Sequence, residues 1–96
     1  DSLRQVFGDR LAKIPISANK SQVGHSLGAA AAVEAVLGIE GLRHQTLLPT
    51  ANYLPDPELG DLDVVPNVAR RQHCELLLSN AFGFGGTNCC VVFRTV

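Results

Sequence analysis

The sequence predicts a layered α/β fold, and three observations lead to this prediction. Residues 26–43 are rich in alanine, the best helix former, and contain no proline. Two apolar runs of strand length, residues 75–80 and 89–93, follow near the carboxyl end. A helix followed by a pair of strands is an order from which helix-on-sheet layers are built.

The amino-terminal quarter is predicted to consist of short elements. Residues 2–7 have the pattern of a helix that ends at Gly8, the residue type preferred just beyond a helix end. Apolar and polar residues alternate over 13–17, which predicts a short strand, although Pro15 lacks the N–H that a central strand needs. Residues 18–25 are polar and are predicted to form a loop.

The predicted helix over residues 26–43 is apolar on nearly every side, so we expect it to be buried. Gly41 weakens its end. Residues 45–60 contain three prolines and a terminal glycine, which predict a loop, and residues 62–65 are predicted to form a short strand.

A glycine-rich connection joins the two apolar runs and reads Phe82-Gly83-Phe84-Gly85-Gly86-Thr87. Glycine permits backbone conformations that are closed to other residues. Two strands joined in this way indicate an antiparallel pair with a tight, functional loop. The loop lacks the spacing and the following helix of a phosphate-binding loop. On their own, both phenylalanines are best interpreted as core residues.

Composition and charge exclude several functions. Hydrophobic residues make up 46% of the 96 residues and charged residues 18%, which is too apolar for a disordered chain. The formal net charge of −1 provides no basic field for nucleic acid. Glu34 and Glu40 interrupt the longest apolar stretch, which is shorter than the roughly 20 residues that span a bilayer. We therefore expect no nucleic-acid partner and no membrane span.

Three cysteines without a visible secretory signal favour a reducing, cytoplasmic setting over a disulfide framework. No metal site is predicted. The sequence contains no methionine and opens within a predicted helix. We therefore expect it to be part of a longer protein.

The pentapeptide Gly24-His25-Ser26-Leu27-Gly28 fits the G-x-S-x-G pattern of an α/β-hydrolase elbow. Under this interpretation Ser26 is a nucleophile, and Asp63 and His73 follow in the order of a hydrolase triad. An elbow follows directly on a buried strand, whereas the residues before Gly24 are mostly polar. The hydrolase is therefore the minor alternative.

Glu34 is the only charged residue between positions 27 and 39 of the predicted helix. A buried carboxylate is costly unless it is paired, and Lys20 is the nearest plausible cation in the sequence. From the residues alone, a partly exposed Glu34 that reaches solvent is an equal alternative.

Two long motifs carry a resemblance to a known family. Residues 20–30 contain K-S-x-x-G-H-x-x-G-A-A, and residues 78–88 read LSNAFGFGGTN. Both resemble segments of the β-ketoacyl-acyl carrier protein synthases, the condensing enzymes of fatty acid and polyketide synthesis. The resemblance covers essentially the whole chain in order and spacing. One departure is Ala31, which stands where the family usually has glycine.

The resemblance implies roles for the residues that match these motifs. His25 matches one of two catalytic histidines, which donate hydrogen bonds to the enolate oxygen of a malonyl unit. That role needs a neutral imidazole with Nε2–H toward the substrate. Lys20 matches the active-site lysine, and Glu34 matches the glutamate that pairs with it. Phe84 matches a gating phenylalanine whose backbone N–H helps form an oxyanion hole. The neighbouring glycines Gly83, Gly85 and Gly86 fit this role because they allow close approach of the backbone.

The resemblance also implies the C-terminal part of a thiolase-like fold, with a buried Ala-rich helix against a mixed sheet. Residues 1–96 are then an incomplete part of the C-terminal ketosynthase domain. Cys74, Cys89 and Cys90 do not match the family's nucleophilic cysteine, which is expected in the absent N-terminal half. The family's second histidine, in an H-G-T motif, is expected shortly before residue 1. We expect the 96-residue chain alone to be inactive.

For the full-length protein, the resemblance implies a decarboxylative Claisen condensation of an acyl thioester with malonyl-acyl carrier protein. The implied partners are the acyl carrier protein, the missing N-terminal part, and a second subunit in a homodimer or a ketosynthase-like heterodimer. No cofactor is implied beyond the phosphopantetheine arm of the carrier. The alternative is a chain-length factor, a ketosynthase-like partner without the nucleophile.

Overall fold

A computed structural model describes all 96 residues. It contains helices α1 (Ser2–Phe7), α2 (Lys20–Val23) and α3 (Ala30–Arg43), and strands β1 (Thr46–Leu47), β2 (Arg70–Arg71), β3 (Leu76–Phe82) and β4 (Asn88–Arg94). Short 3₁₀ turns occupy Gly8–Lys13, Leu27–Ala29 and Pro57–Leu59. None of the helices has the length and apolar character needed to cross a membrane.

The strands form two separate antiparallel sheets of two strands each, β1 with β2 and β3 with β4. In the longer hairpin the register runs unbroken from Leu76 opposite Arg94 to Phe82 opposite Asn88. The predicted strand pair is therefore confirmed, and so is the α/β class. Parallel pairing is limited to one isolated bridge between Thr50 and Pro66, so the sheets themselves are antiparallel rather than mixed.

Helix α3 packs on β3 and on β1, and two glycines permit the close approach. A Cβ atom at Gly38 would lie 2.5 Å from Cδ2 of Leu77 in β3. At Gly41 it would lie 2.8 Å from the carbonyl oxygen of Thr46 in β1. Gly41, which was predicted to weaken the end of the helix, is thus the residue at which β1 packs on α3.

The expected burial of α3 is observed only in part. Ala30 and Leu42 are buried, but Val36 is 61% exposed. The reason is that β3 and β1 cover only part of the helix surface, and no other strand or long helix of the chain packs on it. Apolar side chains of the hairpin, such as Leu76 and Val92, are exposed in the same way.

Two predicted strands are absent. Lys13 ends a 3₁₀ turn, and residues 14–17 are irregular because Pro15 cannot donate to a ladder. The Ile16 N–H nevertheless donates to the carbonyl oxygen of Asp63 at 2.7 Å. Residues 62–65 are also irregular, and Val65 has a φ of 43°, which no strand residue adopts. The hydrogen bond between Ile16 and Asp63 holds the two segments next to each other.

The prediction of a loop over residues 18–25 is wrong in part, because this segment contains helix α2. The predicted helix over residues 2–7 is confirmed as α1. At the end of α1, Gly8 has a φ of 53°, in agreement with the predicted helix stop. Strands β1 and β2 were not predicted, because two residues are too short to show any periodicity.

The two glycines of α3 generate a paired prediction. Gly41→Ala places a methyl group against a backbone oxygen that cannot move aside, so we expect a net loss of about 1 kcal/mol or more of stability. Gly38→Ala meets only the flexible end of Leu77, and the gain in helix propensity offsets that contact. Thermal unfolding of the whole polypeptide that carries this chain measures both. Equal melting temperatures for the two variants would contradict the packing described.

Candidate functional site

An ion pair joins the two helices that carry the sequence-predicted charges. The Nζ atom of Lys20, in α2, donates to Oε1 of Glu34, in α3. The Glu34 side chain is 17% exposed and that of Lys20 is 42% exposed. The alternative in which Glu34 reaches solvent unpaired is therefore wrong, and the pairing inferred from the sequence is present.

His25 follows α2 directly, after the helix ends at Gly24. Gly24 has a φ of 76° and its N–H donates to the Lys20 carbonyl oxygen at 2.9 Å, so the chain turns sharply out of the helix. Nδ1 of His25 then accepts a hydrogen bond of 3.1 Å from the backbone N–H of Leu27. Since Nδ1 is the acceptor, the proton of the neutral ring is on Nε2, which is left free to donate.

Ser26 lies between these two residues and makes no side-chain hydrogen bond. Its hydroxyl caps no helix N-terminus, and a 3₁₀ turn at Leu27–Ala29 separates it from α3. Ser26 also has no general base within hydrogen-bond distance in the chain.

The glycine-rich loop connects β3 to β4 and is tight. The Gly83 N–H donates to the Thr87 carbonyl oxygen at 2.7 Å, and Gly85 and Gly86 have φ values of 88° and 86°. Only glycine adopts such angles without strain. The backbone N–H of Phe84 donates to no acceptor within the chain.

Both phenylalanines of this loop region are exposed. Phe84 is fully exposed, and Phe82 is 77% exposed, so the expectation that Phe82 packs in a core is not met within these 96 residues. No hydrogen bond or ion pair joins the loop to His25, Lys20 or Glu34. The structure thus presents two groups of predicted site residues, one around α2 and one at the hairpin turn.

The hydrolase triad is not assembled. Asp63 faces Arg70, whose guanidinium donates to the two carboxylate oxygens at 3.3 and 2.5 Å. This hydrogen bonding holds the pKa of the Asp63 carboxyl below its usual value. His73 is 80% exposed and its Nε2 lies 3.5 Å from Glu75. Neither residue forms a hydrogen bond with Ser26, so the geometry does not favour the hydrolase.

The three cysteines are free thiols. Cys89 and Cys90 lie in β4, and Cys74 precedes β3, so none stands at a helix N-terminus where a thiolate is stabilised. The chain holds no group of three or more His, Cys, Asp or Glu side chains that could bind a metal ion.

Sequence reasoning missed two hydroxyl groups near this site. Ser21, in α2, and Thr50, in the segment after β1, bond to backbone atoms of each other's segments. The only signal in the sequence was that Ser21 follows Lys20 directly within the matched motif.

Comparison with known proteins gives three findings. The family described as beta-ketoacyl synthase, C-terminal domain, matches residues 1–54. The chain is 45% identical to 3-oxoacyl-[acyl-carrier-protein] synthase 2 of Coxiella burnetii, over 99% of this chain and 23% of that protein. It is also 45% identical to nodulation protein E of Rhizobium leguminosarum bv. trifolii, over 99% and 23%.

Among solved structures, the chain is similar to one described as AntDE:AntF, a type II PKS acyl-carrier protein in complex with its ketosynthase bound to the hexaketide. The TM-score is 0.93 and the sequence identity is 36%, and the match covers 99% of this chain and 23% of that one. The chain thus spans less than a quarter of the length of the relatives it matches.

The Asp63–Arg70 pair generates a prediction about pH. Because the folded-state pKa of Asp63 is lowered, the pair stabilises the fold above the unfolded pKa of about 3.9, and this contribution is lost as the pH falls through the folded pKa. We expect Asp63→Asn to lower the melting temperature at pH 7, and the difference from wild type to shrink as the pH falls below about 3.9. Thermal unfolding across this range measures the difference, and a variant with an unchanged melting temperature at pH 7 would contradict it.

Proposed function

Because the chain belongs to the β-ketoacyl synthase family, we propose that it forms the C-terminal part of an acyltransferase that condenses an acyl thioester with malonyl-acyl carrier protein. The observation that carries the proposal is the hydrogen bond from the Leu27 N–H to Nδ1 of His25. It makes Nε2 the donor, which is the form that enolate stabilisation requires. In this proposal residues 1–96 are an incomplete part of the C-terminal ketosynthase domain.

His25 acts on the malonyl unit. As the bond between the carboxylate carbon and the α-carbon breaks, carbon dioxide leaves and the electron pair moves onto the thioester enolate. The Nε2–H of His25 donates to the enolate oxygen and stabilises this charge as it develops. Lys20 keeps a positive charge beside this segment, and its ion pair with Glu34 fixes where that charge lies.

The hairpin turn acts on the acyl thioester. The α-carbon of the enolate attacks the acyl carbonyl carbon, the bond to the cysteine sulfur breaks, and the thiol regains a proton. The free N–H of Phe84 stabilises the tetrahedral oxyanion, and the ring gates access. Gly83, Gly85 and Gly86 let the backbone approach closely. The nucleophilic cysteine comes from outside this chain.

The substrates of this reaction are held on the phosphopantetheine arm of an acyl carrier protein. The similar structure that contains a ketosynthase with its carrier protein supports this partner. A homodimer, or a heterodimer with a ketosynthase-like subunit, completes the proposed assembly. Three free thiols agree with a reducing, cytoplasmic setting.

His25 provides the main test. In the whole polypeptide, His25→Ala removes the enolate donor, and we expect malonyl decarboxylation and condensation to fall by about 10²–10³-fold. Ser26→Ala is the matched control, because its hydroxyl makes no hydrogen bond, and activity is expected to remain. Release of carbon dioxide and formation of β-ketoacyl product measure both. Loss of activity in Ser26→Ala, with covalent labelling of Ser26 by a serine reagent, would favour the hydrolase instead.

The isolated chain provides a second test. None of its cysteines lies at a helix N-terminus, so it has no activated nucleophile to carry the acyl group. We expect the purified 96 residues to give no β-ketoacyl product from acyl and malonyl carrier protein. Product formation by this chain alone would contradict the proposed division of the site.

A further inference from the structure

We propose that Ser21 and Thr50 are positioning residues that hold the helix carrying Lys20 and so set the rate of malonyl decarboxylation. This inference rests on the proposed function. The two hydroxyl groups, here named the hydroxyl clamp, join α2 and the residue Ala18 before it to the segment after β1. They act through Lys20 and His25 rather than on the substrate.

The hydroxyl clamp consists of three hydrogen bonds at the start of α2. Oγ1 of Thr50 accepts from the Ala18 N–H at 3.1 Å. Oγ of Ser21 donates to the Ala18 carbonyl oxygen at 2.7 Å and accepts from the Ala51 N–H at 2.8 Å. Two of these bonds connect residues that are 32 and 30 positions apart in the sequence, so they fix tertiary structure and not a local turn.

The segment that carries Thr50 is itself firmly held. The Thr50 N–H donates to the Val65 carbonyl oxygen at 2.9 Å, and the Thr50 carbonyl accepts from the Asn67 N–H at 3.0 Å. Val65 is 1% exposed. Thr50 is therefore fixed on both sides of its peptide backbone, and its hydroxyl has a defined position from which to accept.

Helix α2 has little to hold it otherwise. It is four residues long, and Asn19 at its N-cap makes no side-chain capping bond. A single turn is not stable by itself, because helix nucleation fixes several residues for one hydrogen bond. The described bonds that tie α2 to distant segments are the hydroxyl clamp and the Lys20–Glu34 pair. The clamp and the ion pair therefore together determine where Lys20 lies, and His25 follows directly after the end of the same helix.

The experiment uses the whole polypeptide and matched variants. Thr50→Val keeps the shape of the side chain but removes the acceptor, and Thr50→Ser restores it. Ser21→Ala removes the second hydroxyl. Ser17→Ala is the control, because Ser17 bonds only to Asn19 within its own segment. Steady-state kinetics of carbon dioxide release from malonyl-acyl carrier protein are measured beside the rate of enzyme acylation and the melting temperature.

We expect Thr50→Val and Ser21→Ala to lower kcat for decarboxylation by about 10-fold, since small misplacements of catalytic groups carry large penalties. KM and the acylation rate are expected to stay unchanged, and Thr50→Ser to recover the wild-type kcat. A lower melting temperature with an unchanged kcat would overturn the proposal, because the clamp would then be only structural. Failure of Thr50→Ser to recover kcat would overturn it too.

Failure of the proposed function gives a different result. If the wild-type polypeptide releases no carbon dioxide from malonyl-acyl carrier protein, the function is wrong, and amide hydrogen exchange decides the inference about α2. Faster exchange at Gly24, whose N–H closes α2, in Thr50→Val and Ser21→Ala but not in Ser17→Ala would support the clamp. Equal exchange in all variants would overturn it.

Discussion

The carboxylate of Glu34 imposes the constraint on which the arrangement around α2 depends. It is a largely buried charge in an otherwise apolar part of α3, and such a charge needs a partner. Lys20 provides the partner, but its own side chain is 42% exposed, so solvent screens much of the attraction. The pair is therefore more important for geometry than for stability, because it ties α2 to α3 at one point.

The same helix also fixes the hairpin. Glu34 and Gly38 are four residues apart and so lie on one face of α3. The absent side chain at Gly38 leaves room for Leu77, and β3 leads from there to the glycine-rich turn. One face of one helix thus contacts both groups of predicted site residues, although no hydrogen bond joins the two groups directly.

The limits of the sequence prediction follow from the range of the interactions involved. Helix α3 and the β3–β4 pair were predicted because their apolar runs are local and long. Helix α2 was not predicted, since it is held by hydroxyl groups of Ser21 and Thr50 that meet across about thirty residues. The left-handed backbone at Val65 has no signature in the sequence, because β-branched residues rarely adopt it. The exposure of the Phe82 side chain was not predicted, because burial of a strand residue depends on which elements pack on the strand and not on the local sequence.

Leu27 shows how a local backbone cost is tied to the site. It has a φ of 49°, a conformation that costs a residue with a side chain about 1–2 kcal/mol. Its side chain is 76% exposed, so burial does not compensate for that cost. In this conformation the Leu27 N–H donates a hydrogen bond to Nδ1 of His25. That bond leaves Nε2 as the donor, and strain of this kind tends to persist where a functional group must be held in one state.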